Sequence, residues 1–177
     1  MQTGTPHKLK PSILQFCRSI VPDQQPFYVE LKPLINQPVN ECFFIVPEHI
    51  ATHGGKQIFG WTIWEWPKIM IEAEFHVIWC TDDGRFIDIT SKKFNVTQIL
   101  FLPDPSRKYE GRQIDNIRKP LNGDKRIHRF CHLAHELFLA LNEGDLAYER
   151  EVPLTLEIQQ IKNEMEQLYI TLHRKYG

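Results

Sequence analysis

Residues 60 to 103 constrain the fold more than any other part of the sequence. This region contains four segments rich in β-branched and aromatic residues, GWTIWEW (60–66), IMIEAEFHVIWC (69–80), RFIDIT (85–90) and TQILFLP (97–103). Their connections are short and carry turn signals, Pro67-Lys68 after the first segment and Asp82-Asp83-Gly84 after the second. Strand-prone segments joined in this way predict an antiparallel β-meander.

Helical patterns lie on both sides of this predicted sheet. A helix is predicted at residues 12–21, and another from a capping Asn40 to a stop at Gly54-Gly55, with a kink expected at Pro47. Two more helices are predicted at 124–144 and 154–176. The predicted fold class is therefore α+β, an antiparallel β-meander packed with a cysteine-bearing helix and two C-terminal helices.

The chain of 177 residues is expected to form a single domain, 1–177. Residues 1–39 contain scattered prolines and are interpreted as an irregular and helical N-terminal wrap, with one short extended candidate, FYVEL, outside the core. Residues 40–103 form the predicted core of helix and antiparallel sheet. A surface loop is predicted at 104–123 and the C-terminal helices at 124–177.

Composition narrows the classes of function. The 21 basic and 22 acidic side chains nearly cancel, which argues against nucleic acid or a membrane as a partner. The four cysteines form no CxxC pair, which indicates neither a zinc ribbon nor a dense disulfide framework and favours a reducing compartment. We expect no metal and no cofactor. The polar start of the chain and the lack of any long apolar run predict a cytoplasmic protein.

The turn at Asp82-Asp83-Gly84 determines which polar residues meet. A three-residue hairpin loop with glycine in the left-handed region pairs Trp79 with Ile87. Because side chains alternate between faces, Asp88 then shares a face with His76 and lies within its reach. A two-residue turn would instead place these side chains on opposite faces.

A histidine held by an aspartate is typical of nucleophilic catalysis, because the carboxylate fixes the tautomer and stabilises the imidazolium. Cys42 is the candidate nucleophile, since it lies at the predicted start of a helix, where the dipole and free N–H groups favour a thiolate. We expect Cys42 to be reachable from solvent and the other three cysteines to be inert. The competing interpretation is a small buried hydrophobe within a Phe-Phe-Ile-Val run.

The order of these elements resembles the papain-like superfamily, in particular its transglutaminase-like and NlpC-like branches and the arylamine acetyltransferases. A cysteine opens a helix, an antiparallel sheet follows, and EFHVIWCTDDGRFIDIT (74–90) is similar to a phrase that often surrounds the histidine in those proteins. The resemblance covers roughly residues 40–90. It implies a papain-like core, with Cys42 as nucleophile, His76 as general base and Asp88 as the residue that orients the histidine.

Three further residues have supporting roles in this hypothesis. The resemblance implies an oxyanion donor from the region before the nucleophile, for which Gln37 and Asn40 are candidates. Glu74 alternates with His76 along one strand and is a second candidate partner for the ring. The predicted activity is that of a cysteine-dependent acyl or amide hydrolase or an acyltransferase, with a protein or peptide among its candidate substrates.

Two alternatives remain open at this point. Apolar residues recur at 4-3-4-3-4 spacing in the last helix, at Leu154, Ile158, Ile161, Met165, Leu168 and Leu172. This heptad-like stripe predicts either packing on the parent domain or a homodimer through residues 154–172, as in a non-catalytic interaction module on the same fold. The other alternative is a metal-dependent hydrolase that uses His76 with Glu72, Glu74 and Asp88.

Overall fold

The computed structural model describes residues 3–93, 95–144 and 152–177 and has a mixed α+β fold. The helices are α1 (Pro11–Ile20), α2 (Cys42–His53), α3 (Lys125–Leu141) and α4 (Leu156–Tyr176). The strands are β1 (Phe27–Leu31), β2 (Lys56–Trp66), β3 (Met70–Cys80), β4 (Phe86–Asp88), β5 (Gln98–Pro103) and β6 (Ile117–Pro120). Helix α2 continues through Pro47, which supplies no N–H to the helix.

The sheet is not a simple meander. Its strand order is β2-β5-β1-β4-β3-β6, and an additional pairing between β2 and β3 closes the first five strands into a barrel. Strand β1 lies between β4 and β5, pairing in parallel with β4 and antiparallel with β5. The expectation that FYVEL lies outside the core is therefore wrong, and Val29 within it is 1% exposed.

The predicted surface loop at 104–123 also needs correction. Residues Ile117–Pro120 form β6, which pairs with β3, and all four are half-buried. Two of these four residues are charged and a third is proline, so the segment lacks the apolar alternation that identifies a strand. The side chain of Arg118 is held instead by carboxylates, with Nε 2.8 Å from Glu72 Oε1 and Nη1 2.9 Å from Asp115 Oδ1.

Contacts divide the chain into two compact units. One comprises Gly4–Trp64 and Ala73–Tyr109 and contains the barrel and α2. Among its described residues, two apolar clusters contribute to the core. Helix α2 and strands β3 and β4 supply the first, Cys42, Ile45, Val46, Val77, Ile87 and Ile89. The second contains Val29, Trp64, Ile78, Ile99 and Phe101. Because Val77 and Ile78 are neighbours on β3, that strand separates the two clusters.

The other unit comprises Met1–Thr3, Glu65–Glu72 and Glu110–Gly177. Helices α3 and α4 pack against each other, and their apolar cluster contains Trp66, Ile69, Met70, Ile127 and Leu172. Ile158 and Leu172 of the heptad-like stripe are buried within the chain, whereas Leu154 is 61% exposed. The predicted homodimer through 154–172 remains a prediction. In the described ranges, every helix is too short or too polar to cross a membrane.

Candidate active site

The loop between β3 and β4 has the geometry expected from its sequence. Thr81 N donates to Arg85 O at 2.9 Å, Gly84 N donates to Thr81 O at 3.0 Å, and Gly84 has a φ of 85°. The observed register pairs Trp79 with Ile87 and Cys80 with Phe86. This is the register of a three-residue loop, which puts Asp88 on the same strand face as His76.

The predicted contact between His76 and Asp88 is present. His76 Nε2 lies 3.0 Å from Asp88 Oδ2, and the two residues are 4% and 0% exposed. Asp88 Oδ1 accepts a second hydrogen bond from Thr90 N at 3.0 Å. The carboxylate is thus fixed at both oxygens, and its hydrogen bond to Nε2 leaves Nδ1 as the ring nitrogen for proton transfer.

The charges around this pair favour its ionised form. Burial and the nearby Lys92 lower the pKa of His76, but the Cys42 thiolate, the Asp88 charge and the Asp88 hydrogen bond raise it, with a net pKa of about 9. Burial alone would raise the pKa of Asp88. The charges and hydrogen bonds of His76 and Lys92 more than offset burial and hold that pKa well below its usual range. An imidazolium beside a carboxylate is therefore the expected state at neutral pH.

Cys42 is the first residue of α2. The N-cap is Glu41 and not Asn40 as expected, and no side chain caps the helix. Phe44 N and Ile45 N donate to Glu41 O at 3.1 and 3.0 Å, so the N–H groups of Cys42 and Phe43 precede the first bonds of the helix. The nucleophile candidate therefore lies where the helix dipole favours negative charge.

The structure places Cys42 in a more enclosed position than expected. The residue is 3% exposed and belongs to the apolar cluster of α2, β3 and β4, so the expectation of a solvent-reachable thiol is wrong. The flanking aromatic and aliphatic side chains of the α2 N-terminal turn account for this, because they pack against the sheet beside the sulfur. Access to Cys42 then requires a local movement.

Cys42 and His76 interact through charge. In the described part of the chain, the hydrogen bonds of the His76 ring go to Asp88 and Lys92. The charge of the Cys42 thiolate nevertheless raises the pKa of His76, and it acts more strongly than the charge of Asp88. The two residues are therefore electrostatically coupled.

Lys92 is a member of the cluster that sequence reasoning missed. Its Nζ lies 2.8 Å from Asp88 Oδ2 and 3.1 Å from His76 Nε2, and its side chain is 5% exposed. A lysine in the sequence SKKFN is ordinarily interpreted as a solvated surface residue. The only sequence signal was its position four residues after Asp88, which a turn brings back to the carboxylate.

Tyr109 is the second residue that was missed, within the segment predicted as a surface loop. Its ring stacks on Phe43, with centroids 4.1 Å apart and planes at 4°, and meets Phe44 edge-on at 6.4 Å. Burial raises the pKa of Tyr109, and the charges of Glu41 and Cys42 add to that effect. Tyr109 therefore lies over the first turn of α2, beside the candidate nucleophile.

The three supporting candidates have different surroundings. Gln37 is half-buried in the turn before α2, whereas Asn40 is exposed, has a φ of 64°, and donates its backbone N–H to Ser91 O at 3.2 Å. Glu74 accepts a hydrogen bond from Trp64 Nε1 at 2.7 Å. Asp88 is thus the carboxylate bonded to His76, and the roles of Gln37 and Asn40 as oxyanion donors remain predictions.

The residues of the metal-site alternative do not converge. Glu72 Oε1 accepts hydrogen bonds from Asn116 Nδ2 at 3.0 Å and Arg118 Nε at 2.8 Å, and Glu74 binds Trp64. Within the ranges that the structure describes, no group of three or more His, Cys, Asp or Glu side chains is arranged to hold a metal ion. Glu72 and Glu74 have other partners, so His76 remains as the proton-transfer group of the site, with Asp88 as its hydrogen-bond partner.

The C-terminal end of α2 is tied to the same hairpin that carries Asp88. Gly55 N donates to Asp82 Oδ1 at 2.9 Å, and Trp79 Nε1 donates to Gly54 O at 3.0 Å. These bonds fix the helix against β3 and the loop that follows it. Since Cys42 starts the same helix, they contribute to its placement relative to His76.

We expect Gly55→Ala to destabilise the fold far more than Gly84→Ala. Both glycines have a φ of 85°, but a Cβ at Gly55 would lie 2.5 Å from Trp79 Nε1 and overlap Cys80 O, whereas Gly84 has open space. Left-handed strain alone costs about 1 to 2 kcal/mol. The overlap at Gly55 should raise the loss of unfolding free energy above about 3 kcal/mol. Equal losses in urea denaturation would contradict the tie between helix and hairpin.

Comparison with known proteins gives no relative. No protein-family model, curated protein or solved structure matches this chain. The arrangement of Cys42, His76 and Asp88 must therefore be judged on its geometry and charges.

Proposed function

We propose that this chain is a cysteine-dependent acyl or amide hydrolase, or an acyltransferase, on a papain-like core. Cys42 is the nucleophile, His76 the general base and Asp88 the residue that orients the ring. The observation that carries the proposal is the buried 3.0 Å hydrogen bond from His76 Nε2 to Asp88, together with the charge of Cys42, which raises the pKa of His76.

The chemistry begins from a thiolate and an imidazolium. The Cys42 thiolate attacks the substrate carbonyl carbon and forms a C–S bond. The C–N or C–O bond to the leaving group then breaks, and the leaving group takes the proton held by His76. Water or an amine attacks the resulting thioester, gives its proton to His76, and releases the Cys42 thiolate. This sequence returns both residues to their starting state.

Negative charge on the carbonyl oxygen needs donors during both steps. The backbone N–H groups of Cys42 and Phe43 at the start of α2 supply them in this proposal, because neither is used by the helix itself. Gln37 or Asn40, in the turn before α2, adds a side-chain donor. A protein or peptide is the proposed substrate class.

The setting proposed for this activity is the cytoplasm. All four cysteines are free thiols, and three of them are buried. Free thiols persist where glutathione and thioredoxin keep the compartment reducing. The nearly balanced charge of the chain continues to argue against nucleic acid as the partner.

The interaction-module alternative has support from exposed apolar residues at the start of α4. Leu154 and Leu156 are 61% and 75% exposed. Ile158 and Leu172 of the heptad-like stripe, to which Leu154 also belongs, are buried within the chain, which reduces the surface available to a second copy. The catalytic proposal is favoured, because a histidine and a carboxylate with strongly shifted pKa values in one buried cluster are typical of functional sites.

An activated ester tests the proposal directly. We expect p-nitrophenyl acetate to acetylate Cys42 as a thioester, visible by mass spectrometry of rapidly quenched protein, because the thiolate needs no strong leaving-group assistance with this substrate. Cys42→Ser and His76→Ala should reduce the acetylated fraction at least about tenfold. Cys17→Ser serves as the matched control. Faster loss of the acetyl group with an added amine than with water would favour the transferase.

Acetylation spread evenly over the four cysteines would contradict the proposal. So would acetylation of Cys42 that is unchanged in His76→Ala, because the histidine would then have no part in activating the sulfur.

A further inference from the structure

Lys92 is buried at the one carboxylate that orients the candidate base. Its Nζ lies 2.8 Å from Asp88 Oδ2, and its side chain is 5% exposed. A buried ammonium group is costly unless it is paired, and Asp88 supplies the partner. Together with His76 and Thr90, Lys92 is the third donor to this carboxylate. The fold therefore places a positively charged side chain in a buried position beside Asp88.

The position of Lys92 affects the proton on His76. His76 Nε2 lies 3.0 Å from Asp88 Oδ2 and 3.1 Å from Lys92 Nζ. When Nε2 carries a proton, it donates to Asp88 and faces a like charge on Lys92. When the ring gives up its Nδ1 proton, Nε2 keeps its own proton and its bond to Asp88, and the repulsion between the imidazolium charge and Lys92 is relieved. Lys92 therefore acts against the imidazolium that Asp88 and Cys42 favour.

We propose that Lys92 is a positioning residue of this site, which holds Asp88 Oδ2 in place and weakens the hold of His76 on its proton. The charged and titratable groups that act on His76 are Lys92, Cys42 and Asp88. Two anionic groups alone would make the imidazolium a poor acid. The ammonium group of Lys92 offsets part of their charge, so that His76 can return its proton to the leaving group.

The catalytic part of this inference rests on the proposed function, but the electrostatic part can be measured without turnover. Side-chain ¹⁵N NMR follows protonation and tautomer of His76 directly. We expect the titration midpoint of His76 to rise by about one pH unit or more in Lys92→Met, because a like charge within hydrogen-bonding distance has been removed. Lys92→Gln, which retains a donor to Asp88 without the charge, should show the same direction if Lys92→Met is poorly folded.

Two controls separate charge from structure. Lys92→Arg retains the charge and should leave the midpoint close to that of the unmodified protein. Lys93→Met removes the neighbouring exposed lysine and should not shift it. In acetyl transfer, Lys92→Met should slow the release of leaving groups that need a proton more than that of p-nitrophenolate, which needs none.

An unchanged or lower midpoint in folded Lys92→Met and Lys92→Gln overturns the role of Lys92, even if Cys42 is acetylated normally. Absent acetylation of Cys42 overturns the proposed function, while a raised midpoint would still support the control of His76 by Lys92. The two failures are therefore distinguishable.

Discussion

Iodoacetamide at pH 6 is expected to alkylate Cys42 at least about tenfold faster than Cys17 or Cys131. Burial raises the pKa of Cys17 to about 11, and burial likewise raises that of Cys131 to about 11. Only about one in 10⁵ of such thiols is ionised at pH 6. In the proposed mechanism, Cys42 reacts as the partner of the His76 imidazolium, which is the reason for its expected faster alkylation. Peptide mass spectrometry at several reaction times measures the three rates.

The same alkylation experiment in His76→Ala shows whether Cys42 reacts fast because His76 activates it or because the sulfur is accessible. Without the imidazolium, Cys42 should label at the rate of an ordinary thiol, which is less than about 1% ionised at pH 6. We expect a loss of about tenfold to a hundredfold. Asp88→Asn should reduce the rate less, because the aspartate orients the ring and takes no proton itself.

Tyr109→Ala is the control for access to the sulfur. Cys42 is 3% exposed, and Tyr109 stacks on the neighbouring Phe43. Removing the ring should speed labelling of Cys42 at every pH without moving the pH midpoint. If Cys42 labels no faster than Cys17 even in Tyr109→Ala, the cysteine-enzyme proposal is wrong and His76 and Asp88 form a structural hydrogen bond.

The free energy of unfolding is expected to fall between pH 6.5 and 9 by an amount on the order of 3 kcal/mol. The pKa of His76 is raised from 6.5 to about 9 in the folded protein. A raised pKa means that the folded state binds the proton more tightly than the unfolded state. The resulting stabilisation is complete below pH 6.5 and is lost as pH rises through about 9. Urea denaturation at fixed pH values measures the decline.

Variants of the site show whether this decline belongs to His76. His76→Gln should remove most of the slope between pH 6.5 and 9. Cys42→Ser should reduce it, because the thiolate is one of the charges that raise the pKa of His76. The thiols of Cys17 and Cys131 act only at higher pH, since their pKa values are about 11. Stability that stays level or increases over this range would mean that the ring is buried in its neutral form.

Asp88 determines how the free energy of unfolding changes at acidic pH. Its pKa is held below the ordinary value by His76 and Lys92. A lowered pKa contributes stability above about pH 4, and this contribution is lost as the pH falls toward the folded value. The site should therefore stabilise the fold most between about pH 4 and 6.5.

The geometry of the hairpin was accessible from sequence because local rules determine it. The loop length and Gly84 specify the register, and alternation along the strands then brings His76 and Asp88 together. Helix α2 was predictable from its apolar residues and its glycine stop. In the hairpin and in α2, residues that are close together in sequence determine the local structure.

The missed features depend on residues far apart in sequence. Strand β1 has five residues between prolines, and its place beside β4 and β5 cannot be inferred from its own pattern. Strand β6 is short and largely charged. Lys92 has an ordinary surface sequence context, and only the folded turn after β4 makes it a buried partner of Asp88. Tertiary pairing decides each of these cases.

The place of β1 has a consequence for synthesis of the chain. Leu31 is in register with Asp88, and Lys32 N donates to Asp88 O at 2.8 Å. A strand that is synthesised early therefore holds the backbone of a residue that is synthesised much later. During synthesis, β1 has no strand to pair with until β4 and β5 have left the ribosome. A barrel closed by such distant pairings is expected to form slowly and late. The nascent chain therefore completes the sheet on the β1 side of Asp88 only when its first strand lies between β4 and β5.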